Sequence, residues 1–116
     1  MLISKNMKVS DIIDRLGLKL ESGQSGVERE INGGYVSDLL SDVMGNSKEG
    51  QVWVTLQTHK NVMAIASLKD LAAVILVKGF KPDEDMAKQS NEEGIPVLST
   101  TESAFEIAGK LYELLK

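Results

Sequence analysis

The chain has 116 residues, of which 42% are hydrophobic and 26% are charged, and this is the composition of one globular domain. A formal net charge of -4 and an aromatic content of 4% leave no basic surface for phosphate backbones and no stacking platform for single strands, so nucleic acid is excluded as a partner. Because cysteine is absent, the chain has no disulfide, no thiol nucleophile and no thiolate ligand for zinc or an iron–sulfur cluster. We expect a single α/β domain over residues 1–116.

No stretch of the sequence approaches the length of a membrane span. The segment Met1–Lys8 is not followed by the apolar region of a signal peptide. We therefore expect a cytoplasmic protein that does not bind a membrane.

The first predicted elements are a short helix and a hairpin. Ser10 is suited to cap the helix, and Gly17 is placed to end it. Residues 18–20 alternate like a strand, the stretch Gly23–Gly26 is a turn, and residues 27–31 read as a second strand. The two strands could pair as a hairpin.

Strands and helices alternate after this point. The pair Gly33-Gly34 interrupts the chain before the short strand Tyr35-Val36. Ser37 is suited to cap the next helix, which Gly45 is expected to end. The apolar residues expected to face the core from this helix are Leu39, Leu40, Val43 and Met44.

The middle of the chain contains the clearest periodic pattern. Residues 52–56 read as a strand, and residues 61–69 have the spacing of a helix. Residues 73–77 are an unbroken apolar run, which is typical of a strand covered on both faces.

The last predicted elements are a polar helix, a strand and an amphipathic helix. Pro82 is suited to the first position of the polar helix, and Gly94 ends it. Pro96 cannot donate to a β-ladder, so the strand at 95–98 is an edge strand or pairs only beyond this residue. Ser103 and Glu106 have the spacing of a capping box at the start of the final helix. Its predicted core face comprises Phe105, Ala108, Leu111, Tyr112 and Leu115.

This alternation predicts an α/β fold with three layers, in which helices flank a largely parallel sheet. An N-terminal helix and a possible hairpin precede it. Ligands of such sheets collect beyond the carboxyl ends of the strands, where loops converge. The candidate ligand-binding residues in these loops are Gly33, Gly34, Tyr35, Ser37, Asp38, Gln57, Thr58, His59, Lys78, Gly79, Ser99 and Thr100.

Structural roles compete with binding roles at several of these positions. Serine and threonine hydroxyls at such places are also what helix caps require, and Gly33-Gly34 could serve a bulge. His59 is the only histidine, so it cannot hold a metal alone, and both a ligand contact and a structural role stay open for it. Lys78 could meet an anion or lie in a solvated turn next to Gly79.

The sequence carries no set of residues that predicts catalysis. It contains neither a phosphate-binding glycine motif nor a nucleophile elbow. The acidic residues 83–85, 92 and 93 are expected on a solvated helix face. We therefore expect no catalytic residue, no metal site and no cofactor.

The string from Ala72 to Lys116 resembles the DRTGG domain. The resemblance rests on residues 73–83, on 92–100 and on 103–106, and it extends back to about Val27. The N-terminal domain of HPr kinase/phosphorylase has a similar string. Where the family has its Asp-Arg pair this chain has Thr58-His59, and of the family's Thr-Gly-Gly only the last residue, Gly79, is kept.

This resemblance implies an α/β fold, a homodimer and a regulatory role. The leading hypothesis is a non-catalytic regulatory domain that senses a nucleotide or another anionic small molecule. The alternative is an interaction adaptor that dimerises and associates with a larger enzyme complex. Because stand-alone relatives have carried labels tied to hydrogenases, that complex could be a redox enzyme.

Overall fold

The computed structural model describes residues 7–116. Within them a five-stranded sheet is flanked by five helices. The strands are β1 (Lys19–Ser22), β2 (Gly33–Val36), β3 (Gln51–Thr55), β4 (Ala73–Leu76) and β5 (Val97–Ser99). The helices are α1 (Val9–Leu16), α2 (Leu40–Asn46), α3 (Asn61–Leu68), α4 (Glu84–Glu93) and α5 (Ala104–Leu115).

The strand order across the sheet is β1-β5-β4-β3-β2. Strands β2 to β5 are parallel and each pairs with the next in sequence, whereas β1 runs antiparallel to β5. Right-handed crossovers that all advance in one direction put their helices on one face, so α2, α3 and α4 lie together. Helices α1 and α5 cover the other face. The predicted three-layer α/β fold is therefore confirmed.

The sheet separates two apolar layers because successive side chains of a strand point to opposite faces. In β3, Val52 and Val54 pack with α1 and α5, while Trp53 packs with α2, α3 and α4. All four residues of β4 are buried, as the unbroken apolar run predicts. The elements predicted over 52–56, 61–69 and 73–77 correspond to β3, α3 and β4.

The predicted hairpin is wrong. Strand β1 pairs with β5, where Lys19 lies opposite Ser99, and residues 27–31 contain only one isolated bridge, between Glu30 and Lys8. The turn before this segment instead packs against residues 94–96, just before β5, and Gly26 lies so close to the carbonyl oxygen of Gly94 that a side chain has no room. The competing contact with β5 therefore takes the place of a local strand pair.

Three helix starts differ from the predicted ones. Helix α1 begins at Val9, and Lys8 rather than Ser10 is its N-cap. Helix α2 begins at Leu40, and Ser37 lies two residues before its N-cap. Helix α4 begins at Glu84 because Asp83 accepts a hydrogen bond from the backbone N–H of Met86 and caps it.

The structure also shows where Gly33, Gly34, Gly45 and Pro96 lie relative to the strands and helices. The pair Gly33-Gly34 belongs to β2 rather than interrupting the chain before it, and Gly45 lies inside α2. Strand β5 is an interior strand whose pairing begins at Val97, so the second of the two alternatives for Pro96 holds. The carbonyl of Pro96 accepts a hydrogen bond from Val74 N at 3.0 Å.

The inward faces predicted for α2 and α5 are only partly correct. In α2, Val43 is buried but Leu39 and Met44 are exposed. In α5, Leu111 is buried together with Ile107 and Leu115 packs partly against the core, whereas Phe105 and Tyr112 point outward. None of the helices among residues 7–116 has the length and apolar character needed to cross a bilayer.

Candidate functional site

A pocket of about 280 Å³ lies at the carboxyl ends of β2, β3 and β4, under the start of α5. We call it the strand-end pocket. Its polar lining comprises Asp38, Thr55, Lys78 and Ser103, and apolar walls come from Val36, Val54, Leu56, Val77, Ala104 and Phe105. It therefore combines one carboxylate, one ammonium and one aromatic ring within a small volume.

Asp38 is fixed in this pocket by its own hydrogen bonds. Its Oδ1 atom accepts from Thr55 Oγ1 and from Leu56 N, both at 2.8 Å. Its backbone carbonyl accepts from Gln57 Nε2 at 2.8 Å. The Oδ2 atom makes no hydrogen bond with residues 7–116, so it is available to accept one from a ligand.

Lys78 lies in a tight turn that follows β4. Both Lys78 and Gly79 have positive φ angles, of 59° and 78°, and the N–H of Phe80 donates to Val77 O at 3.1 Å. This is the geometry of a turn with two left-handed central residues, which favours glycine, asparagine and aspartate. A lysine at the first central position therefore carries a conformational cost.

The backbone of this turn is fully engaged with the loop after β5. The N–H of Lys78 donates to Glu102 O and that of Gly79 to Thr100 O, both at 2.8 Å. These amides are therefore not available to cradle a phosphate. The ammonium of Lys78 has no ion pair within residues 7–116, so the side chain supplies the positive charge of the pocket.

Phe105 is the site residue that the sequence interpretation missed. It was assigned to the core face of α5, but 89% of its surface is exposed at the mouth of the strand-end pocket. Ser103 caps this helix by accepting from Glu106 N at 3.2 Å, which confirms the N-cap of the predicted capping box. The carboxylate of Glu106 accepts from the Ser103 hydroxyl at 3.3 Å. In the sequence, the exposure of Phe105 was indicated by the apolar stripe of α5, which is wider than one buried face requires.

Most of the other candidate residues have structural partners. The hydroxyl of Tyr35 points to the opposite face of the sheet and donates to the carboxylate of Asp42, 2.9 Å from each oxygen. This hydrogen bond raises the pKa of Tyr35 and, with further help from Ser37, lowers the pKa of Asp42. His59 Nδ1 lies 3.1 Å from Asp83 Oδ2, at the start of α4.

The hydroxyl candidates are likewise used within the fold. Ser37 Oγ accepts from Leu39 N at 3.1 Å. Ser99 Oγ donates to Glu21 Oε2 at 2.6 Å, and Thr100 Oγ1 accepts from Glu102 N at 3.2 Å. The carbonyl of Thr58 accepts from Asp83 N at 3.0 Å. Of the predicted set, the structure therefore brings Asp38 and Lys78 into the pocket, with Gln57 and Gly79 behind them.

The two glycines of β2 line a second and larger cavity of about 950 Å³, between that strand and α5. We call it the edge groove. At Gly34 a Cβ atom would lie 3.2 Å from Leu111 Cδ2, so the glycine lets α5 approach the strand closely. The edge groove shares Val36, Ala104 and Phe105 with the strand-end pocket, and the two cavities therefore adjoin.

A metal site is not among the features of residues 7–116. They contain no group of three histidine or acidic side chains arranged to hold an ion. The chemistry available in the strand-end pocket is therefore that of one cation, one hydrogen-bond acceptor and one ring.

A solved structure that this chain resembles is that of the CBS and DRTGG domains of the regulatory region of Clostridium perfringens pyrophosphatase, complexed with its activator, diadenosine tetraphosphate. The TM-score is 0.71 at 17% sequence identity, and the match covers 96% of this chain. The chain spans about half of that structure, 51% of its length. No curated protein matches the chain in sequence.

A family model gives the sequence-level comparison. The model of the DRTGG domain matches residues 11–114, which is nearly the whole chain. The resemblance, expected from about Val27 onward, therefore extends to α1 and β1 at the N-terminal side. The chain belongs to the DRTGG domain family.

Proposed function

We propose that this chain is a non-catalytic regulatory domain that binds a nucleotide or another small anion in the strand-end pocket. The observation that carries the proposal is Lys78, whose ammonium has no ion pair among residues 7–116 and whose backbone is left-handed, in one pocket with the exposed ring of Phe105. Residues with strained backbone angles persist where the surrounding structure holds them in place, and they cluster at functional sites. A lysine in this position is difficult to explain by stability alone.

The three side chains suit the parts of a nucleotide. The ring of Phe105 offers a stacking surface for a base, and the ammonium of Lys78 attracts a phosphate. The Oδ2 atom of Asp38 can accept a hydrogen bond from a hydroxyl or amino group of the ligand. With about 280 Å³, the pocket is close to the lower end of the range for small-molecule sites. It holds one part of such a ligand while the remainder extends into solvent.

The pocket's own chemistry supports a binding role rather than catalysis. Its one serine, Ser103, caps α5 and has no histidine beside it. Asp38 already accepts two hydrogen bonds at Oδ1, which hold its carboxyl group in one orientation. The pyrophosphatase regulatory region was solved with a dinucleotide polyphosphate, and nucleotides are therefore the first ligand class to test.

The proposal predicts that nucleotides stabilise the protein through Lys78. We expect ATP or diadenosine tetraphosphate, at a hundred times its dissociation constant, to add about 2.7 kcal/mol to the free energy of unfolding. Lys78→Asn should weaken binding at least tenfold because the cation is lost. Titration calorimetry and thermal unfolding would measure both effects.

Two further variants make this test specific. Lys48→Asn removes an equally exposed lysine at the opposite end of the sheet and should leave binding unchanged. Phe105→Ala should weaken binding of ATP but not of inorganic pyrophosphate, because only ATP has a base to stack. If no nucleotide or pyrophosphate stabilises the wild type, or if Lys78→Asn binds as the wild type does, the proposal is wrong.

A further inference from the structure

The side chains of the strand-end pocket divide it into a donating and an accepting part. The ammonium of Lys78 only donates hydrogen bonds, and the carboxylate of Asp38 only accepts them. No ion pair within residues 7–116 joins the two, so each can meet a different group of a ligand. The pocket therefore suits a ligand that carries an anionic group at one point and a hydrogen-bond donor at another.

The two hydroxyl groups of the pocket do not change this division, because their hydrogen atoms are already in use. Thr55 Oγ1 donates to Asp38 Oδ1 at 2.8 Å and accepts from Gln57 N at 3.2 Å. Ser103 Oγ donates to Glu106 Oε1 at 3.3 Å and accepts from Glu106 N at 3.2 Å. A hydroxyl group has a single hydrogen to donate. Neither side chain therefore has a donor left for a ligand.

The orientation of the Asp38 carboxyl group is set by a donor that cannot reverse its role. Leu56 N donates to Asp38 Oδ1 at 2.8 Å, and a backbone N–H group cannot accept a hydrogen bond in return. The other carboxyl oxygen, Oδ2, makes no hydrogen bond with residues 7–116. A donor of the ligand would therefore meet an acceptor whose position is fixed before the ligand binds.

We propose that Asp38 selects nucleotides whose base carries an exocyclic amino group, by accepting a hydrogen bond from that group at Oδ2. This inference rests on the proposed function and names the part of the nucleotide that the strand-end pocket holds. Adenine and cytosine carry such an amino group. Hypoxanthine has an oxo group where adenine has the amino group, and the lone pairs of that oxygen would face those of Oδ2. The pocket should therefore discriminate against inosine nucleotides.

The ring of Phe105 favours the base over the sugar as the group that reaches Asp38. Both side chains line one pocket of about 280 Å³, so a base stacked on the ring lies within the same small volume as the carboxylate. A base would also cover the exposed apolar surface of Phe105 and Val36, which suits a flat ring better than a sugar with several hydroxyl groups. A ribose bound to Asp38 would leave the aromatic ring without a stacking partner.

Calorimetric titration with ATP and inosine triphosphate tests this inference, because the two ligands share ring skeleton, sugar and phosphates. We expect the wild type to bind ATP about tenfold more tightly, which is the effect of one hydrogen bond to a charged group. Equal affinities that both fall in Lys78→Asn would overturn this inference and leave the proposed function standing. If neither ligand binds the wild type, the inference and the proposed function are both wrong.

Asp38→Asn makes the test specific, because it exchanges an acceptor for a donor at one place. Leu56 N keeps the amide oxygen at the position of Oδ1, so the amide NH₂ group lies where Oδ2 was. The variant should bind inosine triphosphate at least as tightly as ATP, a reversal that partial unfolding does not produce. Asp14→Asn on α1, outside the lining of the pocket, is the matched control and should keep the preference of the wild type. An Asp38→Asn variant that still prefers ATP would contradict the inference.

A third ligand separates the base from the sugar. The 2′-deoxy form of ATP lacks one ribose hydroxyl group but keeps the amino group, so it should bind the wild type as ATP does. If it binds about tenfold more weakly, and if Asp38→Asn abolishes that difference, then Asp38 contacts the sugar and the inference is wrong.

Discussion

At the scale of single residues, Lys78 is the position where the proposed binding role and stability oppose each other most directly. Its φ of 59° is a left-handed conformation that costs an ordinary residue about 1–2 kcal/mol. Within residues 7–116 its side chain has no ion pair that would offset this cost. The turn would accept asparagine more readily, because asparagine adopts left-handed backbone angles with less strain.

We therefore predict that Lys78→Asn makes the protein more stable while it weakens ligand binding. The free energy of unfolding in the absence of ligand should rise by about 0.5–1 kcal/mol. Urea denaturation would measure it, with Lys78→Ala as the control that removes the charge but keeps the strain. The explanation is wrong if the asparagine variant is no more stable than the alanine variant.

Asp83 contributes to the dependence of stability on pH through the carboxylate that caps α4. Its pKa lies below the usual value of 3.8, chiefly because it accepts a hydrogen bond from Met86 N at the start of α4, and His59 adds to the effect. A lowered pKa means that this group stabilises the fold above its unfolded-state value. The contribution is lost as the pH falls through the folded-state pKa.

Replacing this carboxylate by an amide should flatten the acid limb of the stability curve. Asp83→Asn keeps a side-chain oxygen to cap α4 but cannot titrate. We expect the variant to lose less stability than the wild type when the pH falls from about 5 to about 2. Urea midpoints measured across this range would show it, and two parallel curves would contradict the assignment.

Sequence reasoning identified candidate residues of the strand-end pocket by position but could not rank them. Asp38 and Lys78 follow strands whose carboxyl ends meet, and the fold brings them together. Ser99 and Thr100 follow β5 in the same way, yet their hydroxyls serve Glu21 and Glu102. Which hydroxyl caps a neighbour and which faces a ligand depends on loop geometry, and the sequence does not contain that information.

At the scale of elements, the segment between β1 and β2 shows where local patterns fail. The alternation at 18–20 correctly indicates a strand, but alternation does not say which strand is its partner. The partner is β5, and Lys19 pairs with Ser99 at the far end of the chain. What excludes the hairpin is the close approach of Gly26 to Gly94 and Pro96, a contact between distant parts of the sequence.

Replacing glycine by alanine should have opposite effects at Gly26, which makes this contact, and at Gly45, which does not. At Gly26 a methyl group would collide with the backbone carbonyl of Gly94, so Gly26→Ala should destabilise the fold by about 1–3 kcal/mol. At Gly45, inside α2, nothing lies within 4 Å of the added carbon, so Gly45→Ala should stabilise the helix by about 0.5–1 kcal/mol. Thermal unfolding of the two variants checks both signs, and a shift in the same direction would show that the packing at Gly26 is misjudged.

At the scale of the whole molecule, the architecture was predictable because few topologies satisfy an alternating pattern of strands and helices. Parallel strands need right-handed crossovers, which here put α2, α3 and α4 on one face of the sheet, and α1 and α5 cover the other face. The sequence does not reveal which apolar residues of α5 are buried in the core. Its stripe includes Phe105 and Tyr112, yet the layer beneath the helix has room for Ile107 and Leu111 and leaves those two rings outside.

The position of Phe105 between two cavities has a thermodynamic consequence. One wall, made of Val36, Ala104 and Phe105, serves both the strand-end pocket and the edge groove. A ligand that fixed the ring of Phe105 from the strand-end pocket would change the affinity of the edge groove for its own ligand or partner. By reciprocity an occupant of the groove would change the affinity of the pocket by the same factor. The degree to which one cavity is filled would then depend on the concentration of what binds in the other.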